Sequence, residues 1–582
     1  MMKKYYILSK NATVESYQSI FNSFELKDLE IVSYDRAIDN VLVSDICSAK
    51  DSLILLIPTI LDSFNAYSYD GVEYALKFYF HFVSIKKGDF QVILLGTEDE
   101  SAFWRHCEYS SFLKCPHVSY LKNNIYPIKD CLARIESVAL DMDWAYCIER
   151  IKQIDIKKPA SYKTHHSITN EWSIYRWSKC LGITNVEIQK EIEDFLYFNY
   201  LKAIYSETGT EHSELLYLFE KGKILLIDDE VGKGWHSFFK SFCGRGPSFS
   251  SIGDSFKNLT PEEIINNAEQ KVKEYNPDVV VLDLRLHDDD FEIKDPMQLT
   301  GSKLFERIKA YNKGIQIVVF SASNKVWNYL PLASDGVILK ESPDLSVNEN
   351  YTQECIKNLR DTLMNCLKKS YLRKIYPKIE KLKKLVKQSD YFGDETDVML
   401  GNIDVAFDLL AKSEEANEYK AYSFLQLFLV IEKYVGLESV FDKTDTSVYL
   451  YNGSNRYLIL KDGEQKENSK DTYYQSVVTF EPPYFIFKRG SYNARFIETF
   501  FKVSVLLIFK FGKSSSNELN WPILNKKRND IAHSGAEIKD KDIECLLDFM
   551  FFIFDESNTC WRDIKDAFPV ESLEEQIIKH PE

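Results

Sequence analysis

The chain has 582 residues, too many for one hydrophobic core, and at ~150 residues per domain it should hold roughly three or four. Hydrophobic residues make up 45% of it, enough to fill several cores and to exclude wholesale disorder. The formal net charge of −16 excludes a protein that coats nucleic acid through its overall field, so any such contact falls to a local basic patch.

The eleven cysteines are scattered singly from Cys47 to Cys560, with no CxxC pair and no zinc-type spacing. That pattern suits reduced thiols in the cytoplasm. The start, MMKKYYILSK, has no long apolar run behind its lysines, so no signal peptide is expected. The most apolar helical stretch, FIETFFKVSVLLIFKFG, is interrupted by Glu498, Lys502 and Lys510 and reads as a buried helix rather than a membrane span. A cytoplasmic protein without membrane contact is the expectation.

In residues 1–134, KYYILS, LEIVSY, SLILLIP, FQVILLG and HVSYL read as strands, separated by stretches of helical period such as GVEYALKFYFHFVSIKK. Alternation of this kind predicts a doubly wound parallel sheet. The pattern resembles the frame of a response-regulator receiver domain, without its chemistry. The first strand ends in Ser9 and Lys10 instead of acids, and the third in Pro58 and Thr59 where a phosphoacceptor would stand. A degenerate receiver-like domain and an unrelated small α/β domain both fit. Residues 135–220 turn helical, with EWSIYRWSKCLG and EIQKEIEDFLYFNYLKAIY, and read as a helical connector. His165 and His166 are adjacent there. Neighbours on a helix point about 100° apart, so the pair suits a helix entry better than a shared metal.

Residues 221–345 carry the clearest pattern. KILLIDDE closes an apolar strand with Asp228 and Asp229, and PDVVVLDLRL ends a second at Asp283. IQIVVFSAS ends a third at Ser321, and DGVILKES a fourth at Lys340. All four ends would emerge at the carboxyl edge of one parallel sheet, where doubly wound folds place their sites. Three carboxylates suit a hard cation such as Mg2+, and a lysine with the metal would neutralise a phosphoryl group. The stretch resembles a (βα)5 receiver domain of the two-component response-regulator family. The resemblance implies Asp283 as phosphoacceptor, Asp228, Asp229 and Asp283 as Mg2+ ligands together with the carbonyl of Arg285, and Ser321 and Lys340 as phosphoryl-binding residues. It also implies a cognate histidine kinase or other phosphodonor. Two features depart from the family: the loop HDDDFEIKDPMQLTG after Asp283 is long, and Val337 stands where a switch Tyr or Phe is usual.

Residues 346–388 read as the last receiver helix extended into a basic linker, with Pro377 kinking or dividing it. Its lysines, from Lys368 to Lys387, would be a solvated face or a guide for RNA. Leu363, Cys366, Ile375 and Leu382 recur loosely enough to suggest heptad packing against a second copy. Residues 389–560 read as a helical bundle with a β-rich insert over 446–490, where Asn452-Gly453 signals a hairpin, followed by a tail, 561–582. The fold class expected is thus multidomain α/β plus α. No helix-turn-helix with a basic recognition face is present, so no DNA-binding module is expected.

Near the end, ILNKKRNDIAHSG places Arg528, Asn529 and His533 in the arrangement R-N-x-x-x-H. In a late helical bundle this resembles the HEPN family, whose catalytic members are dimeric, metal-independent ribonucleases. The resemblance implies Arg528, Asn529 and His533 as catalytic residues that need no cofactor, RNA as substrate and a homodimer as the assembly. On one helix Asn529 and His533 lie at i and i+4, whereas Arg528 is turned about 140° from His533. Asn529 would orient the imidazole, His533 would move the proton, and Arg528 would stabilise the charged phosphorane. Alternatively, His533 caps the helix C-terminus and Arg528 binds a carboxylate. The two resemblances together imply a phosphorylation-switched regulator with an endoribonuclease output in bacterial stress response or antiphage (antiviral) defence. The other reading is a regulatory scaffold in which the bundle only dimerises or binds a partner.

Overall fold

The computed structural model describes residues 3–9, 29–33, 52–61, 68–85, 90–135, 143–158, 165–184, 196–205, 212–216, 221–322, 334–345, 349–389, 392–413, 418–437, 441–443, 447–452, 455–461, 478–481, 484–487, 499–513 and 518–561. The chain divides into two compact units. The first comprises Met1–Glu306 and Ile317–Cys366, the second Arg307–Gln316 and Leu367–Glu582.

The first unit is built on two parallel five-stranded sheets. Strands β1 (Lys3–Ser9), β2 (Leu29–Ser33), β3 (Ser52–Pro58), β4 (Phe90–Gly96) and β5 (Val118–Lys122) lie in the order β2-β1-β3-β4-β5. They coincide with the five apolar runs read from the sequence. Near-continuous runs such as LILLI are what a strand covered on both faces requires. Helix α1 (Asp70–Ser84) covers one face with Val72, Leu76, Phe80 and Val83. Its Gly71 sits against the end of β3, where a Cβ would lie 1.8 Å from the carbonyl oxygen of Pro58. Helices α2 (Glu100–His106), α3 (Ile125–Ile135) and α4 (Trp144–Ile151) follow.

The second sheet contains β6 (Lys223–Ile227), β7 (Ser248–Ile252), β8 (Val279–Leu282), β9 (Gln316–Ser321) and β10 (Gly336–Leu339) in the order β10-β9-β8-β6-β7. Four of these strands match the sequence reading. The fifth, β7, was not expected: SFSSI carries three serines and only two apolar residues, enough for an edge strand but too few for an apolar run. In both sheets the order reverses between the first and third strands, which opens a crevice at the carboxyl edge.

The described residues between 135 and 220 fall within the first unit and do not form a separate connector. Helix α5 (His165–Leu181) buries Trp172, Ile174 and Trp177, and Trp177 packs on Trp235, Phe238 and Phe320 of the second sheet's layer. Helix α6 (Leu196–Tyr205) instead packs on α1, with the rings of Tyr200 and Phe80 5.8 Å apart. The side chains of His165 and His166, which open α5, lie outside the described set. Around the second sheet run α7 (Trp235–Cys243), α8 (Pro261–Tyr275), α9 (Thr300–Tyr311) and α10 (Glu349–Lys368).

The second unit is mostly helical. The basic linker expected up to residue 388 is largely a core helix, α11 (Leu372–Gln388), whose Leu372, Ile375, Ile379, Leu382 and Val386 face inward. The break from α10 falls at Lys369–Tyr371, and Pro377 lies inside α11 without dividing it. Leu363, Cys366, Ile375 and Leu382 are all buried within the chain, so they do not form an external heptad seam. Helices α12 (Thr396–Ala411), α13 (Glu418–Tyr434), α14 (Thr499–Phe509), α15 (Trp521–Ser534) and α16 (Asp540–Phe554) complete the core. Strands β11 (Phe441–Lys443), β12 (Ser447–Asn452) and β13 (Asn455–Lys461) form an antiparallel sheet, with Asn452 opposite Asn455; Gly453 of the expected turn lies outside the described residues. A two-stranded ribbon pairs β14 (Val478–Glu481) with β15 (Tyr484–Phe487). Most of the tail, 562–582, lies outside the described residues. No helix among the described residues is long and apolar enough to cross a membrane.

Candidate functional site

The second sheet places Asp228 and Asp229 directly after β6, Asp283 directly after β8, Ser321 at the end of β9 and Lys340 directly after β10. Each apolar strand ends at the same edge, so residues spread over more than a hundred sequence positions meet at the crevice between β6 and β8. The Lys340 ammonium donates to Asp228 Oδ2 and to Asp283 Oδ2, each at 2.8 Å, and all three side chains are closed off from solvent. The ammonium also lies over the rings of Phe320 and Trp235, 4.7 and 5.4 Å from their centres. The backbone N–H of Lys340 donates to the Ser321 carbonyl at 2.8 Å, which ties the ends of β9 and β10 together.

Crowding sets the electrostatics. Burial pushes the Asp228 carboxyl up; Lys340 opposes the shift and Asp283 adds to it, leaving it at about 6. Burial, then the charges of Asp228 and Asp283, hold Asp229 well above the usual carboxylate range. Burial pulls Lys340 down, but the two carboxylates more than reverse this and keep it charged.

Carboxylate oxygens of Asp228, Asp229 and Asp283 lie within 4.8 Å of one another. Asp229 Oδ1 is buried and has no hydrogen-bond partner. A sealed, unpartnered carboxylate oxygen beside two more carboxylates is a donor set for a hard divalent cation. Three carboxylates and one ammonium leave a formal excess of two negative charges, which one such ion would balance. The residues therefore fit Mg2+. Arg285 turns its backbone N–H to Asp283 Oδ1 at 3.2 Å, and its guanidinium lies 5.3 Å from the ring centre of Phe291.

The long loop after Asp283 is ordered by one acid. Asp290 Oδ2 accepts the N–H groups of Leu286 and His287, and Oδ1 accepts the N–H and hydroxyl of Thr300, all at 2.9–3.1 Å. Asp290 is thus consumed as a brace, whereas Asp288 and Asp289 face solvent. The sequence reading singled out neither Asp290 nor the aromatic wall of Trp235 and Phe320, because their roles depend on loop and helix packing.

The second candidate lies on α15. Trp521 opens this helix fully buried, stacked on Phe428, Phe500 and Phe549 at 5.7, 6.0 and 5.1 Å. With Leu524 and Ile531 it fixes which face of α15 turns inward. Arg528, two turns after Trp521, shares that side. Its Nη2 donates to Glu432 Oε1 at 2.7 Å, and its guanidinium lies 5.9 Å from the Phe428 ring centre. Its Nη1 donates to Asn529 Oδ1 at 3.0 Å. Asn529 therefore holds Arg528 rather than the imidazole. His533 is exposed in the last turn, before Gly535 ends the helix in the left-handed conformation, and makes no hydrogen bond or ion pair among the described residues. Of the three expected residues, two are brought together and His533 stands apart. The nearby Lys527 pairs with Asp542 at 2.8 Å.

No family model matches this chain, and no curated protein matches it. Among solved structures it is similar to the first ketoreductase of the tylosin PKS at 10% identity, over 62% of this chain and 78% of that one, with a TM-score of 0.17. It is similar to the phosphoglycerate oxidoreductase from Vibrio cholerae O395 at 13% identity, over 62% and 98%, with a TM-score of 0.14. Scores this low carry no inference about fold or activity.

Proposed function

We propose that the chain is a phosphorylation-switched response regulator, with Asp283 as phosphoacceptor and Mg2+ as cofactor. The observation that carries this reading is the buried Lys340 bridge between Asp228 and Asp283, beside the unpartnered Asp229 oxygen. An Asp283 oxygen would form the new bond to phosphorus as the donor's bond to it breaks; with acetyl phosphate, acetate leaves. Lys340 would neutralise the phosphoryl oxygens, and the Ser321 hydroxyl would donate a hydrogen bond to one of them. Bound Mg2+, held by Asp228, Asp229 and Asp283 with the Arg285 carbonyl, would supply charge neutralisation. A cognate histidine kinase or a small phosphodonor would be the partner.

The helical unit is then the output. In one reading it is a HEPN-type, metal-independent endoribonuclease acting as a homodimer on RNA, with Arg528 and His533 contributed across the dimer, in stress response or antiphage defence. The second reading, a non-catalytic regulatory scaffold, is favoured by one observation: Arg528 is already paired with Glu432. Incubation with labelled acetyl phosphate and Mg2+ tests the switch. Wild type should take up label and Asp283→Asn should not; label persisting in the variant would sink the acceptor assignment.

A further inference from the structure

Helix α5 lies outside the second sheet's own strand and helix succession, yet it reaches both walls of the acid site. Next to Lys340 stands Glu341, whose side chain is completely buried. Three groups converge on that carboxylate. Trp177 Nε1 donates to Oε2 at 3.0 Å, Thr352 Oγ1 donates to Oε1 at 2.9 Å, and Arg176 Nε stands 3.5 Å from Oε1. Arg176 Nη2 also donates to Thr352 Oγ1 at 3.1 Å, and Ser173 Oγ donates to the Glu341 carbonyl at 2.8 Å. On the opposite wall, Asn170 Oδ1 accepts the indole N–H of Trp235 at 3.0 Å, and Glu171 lies 3.7 Å from Lys233 in the loop that follows Asp229. Asn170, Ser173 and Trp177 fall at i, i+3 and i+7, one face of the helix. Trp177 then closes the stack by packing on Trp235 and Phe320, the two rings that carry the Lys340 ammonium.

A buried Glu–Arg pair costs desolvation that its own attraction barely offsets, so its stability value alone does not account for it. What it does here is fix the backbone of residue 341, and with it the end of β10 from which Lys340 projects. We propose that Arg176 and Trp177 are positioning residues for Lys340, acting through the carboxylate of Glu341. The function of that position rests on the phosphoacceptor reading of the site; the position itself does not.

Pulsed acylation of lysines with an amine-reactive ester, read by mass spectrometry on the full chain, tests the position directly. In wild type Lys340 should label slowly. In Arg176→Lys, and independently in Trp177→Phe, it should label about tenfold faster, while the buried Lys202 and Lys510 stay unchanged. Unchanged labelling at Lys340 in both variants overturns the proposal, and so does a rise matched at Lys202 and Lys510, which would report general loosening. A second arm measures uptake from acetyl phosphate. Arg176→Lys should slow it about tenfold, and adding Arg176→Lys to Lys340→Met should slow it no further than Lys340→Met alone. Additive losses would mean that Arg176 acts by another route and also overturn the proposal. No uptake by wild type would refute the phosphoacceptor reading, leaving the labelling result to decide the position.

Discussion

At the scale of the residue, the acid site is held together against its own chemistry. Asp228 stands at about 6 rather than the ordinary 3.8, because burial outweighs the help of Lys340. Between those values the folded chain binds more protons than the unfolded chain. This carboxyl's contribution to stability is therefore fully present below 3.8 and is lost as pH rises through about 6. Asp229, raised for the same reason and with one sealed oxygen unpartnered, acts in the same direction. Asp229→Asn should thus stabilise the metal-free protein at neutral pH by about 1–3 kcal/mol, the cost of a buried unsatisfied group; if Mg2+ binds as proposed, it should raise the Tm of wild type and not that of the variant. Thermal melts with chelator and with Mg2+ measure both effects, and the gain should vanish at acid pH, where the carboxyl is already neutral. A variant that melts lower than wild type under chelator would mean that Asp229 has a partner. The identities of these acids were legible because each follows an apolar strand. Their brace, Asp290, and the clamp on Glu341 were not, since nothing in a single strand or helix pattern says which loop acid will be buried.

At the scale of the element, apolar runs revealed the buried strands, while α11 was hidden by its charge. Its inward positions 372, 375, 379, 382 and 386 keep the helical spacing, but the lysines between them made the stretch read as a linker. Lys378 and Lys383 in fact pair with Asp548 and Asp404 at 2.8 and 2.7 Å. Pro377 was expected to kink or divide this helix; it does not divide it, and the structure shows how the proline is tolerated. A proline there has no N–H for the carbonyl of Arg373. That oxygen accepts instead from Asn312 Nδ2 at 3.0 Å. Asn312→Ala should therefore cost about 1–3 kcal/mol in chemical denaturation. In a Pro377→Ala background, where residue 377 regains its N–H, the cost of Asn312→Ala should fall by ~1 kcal/mol. An equal cost in both backgrounds would show that the side chain does not replace the missing helical bond.

At the scale of the whole molecule, the question is what a chain of net charge −16 could do to RNA. Of the lysines that could form a basic patch on the second unit, Lys378, Lys383, Lys420 and Lys527 are paired with Asp548, Asp404, Asp540 and Asp542. RNA binding would therefore be weak and, with few phosphates neutralised, only shallowly dependent on salt. Arg528 and His533 diverge on α15, so one protomer does not present them as a pair, and Glu432 competes for the guanidinium. The nuclease reading then makes three linked demands in metal-free buffer with a defined RNA. Cleavage per chain should rise with protein concentration, since a second copy completes the site. Glu432→Ala should increase cleavage by freeing Arg528, whereas His533→Ala should reduce it by ~10²–10⁴, the usual contribution of a positioned proton carrier. The scaffold reading predicts no cleavage by any of these proteins, with or without acetyl phosphate. Cleavage that survives in both Arg528→Ala and His533→Ala would exclude the site altogether, and with it the only output chemistry that the sequence motif on α15 suggests.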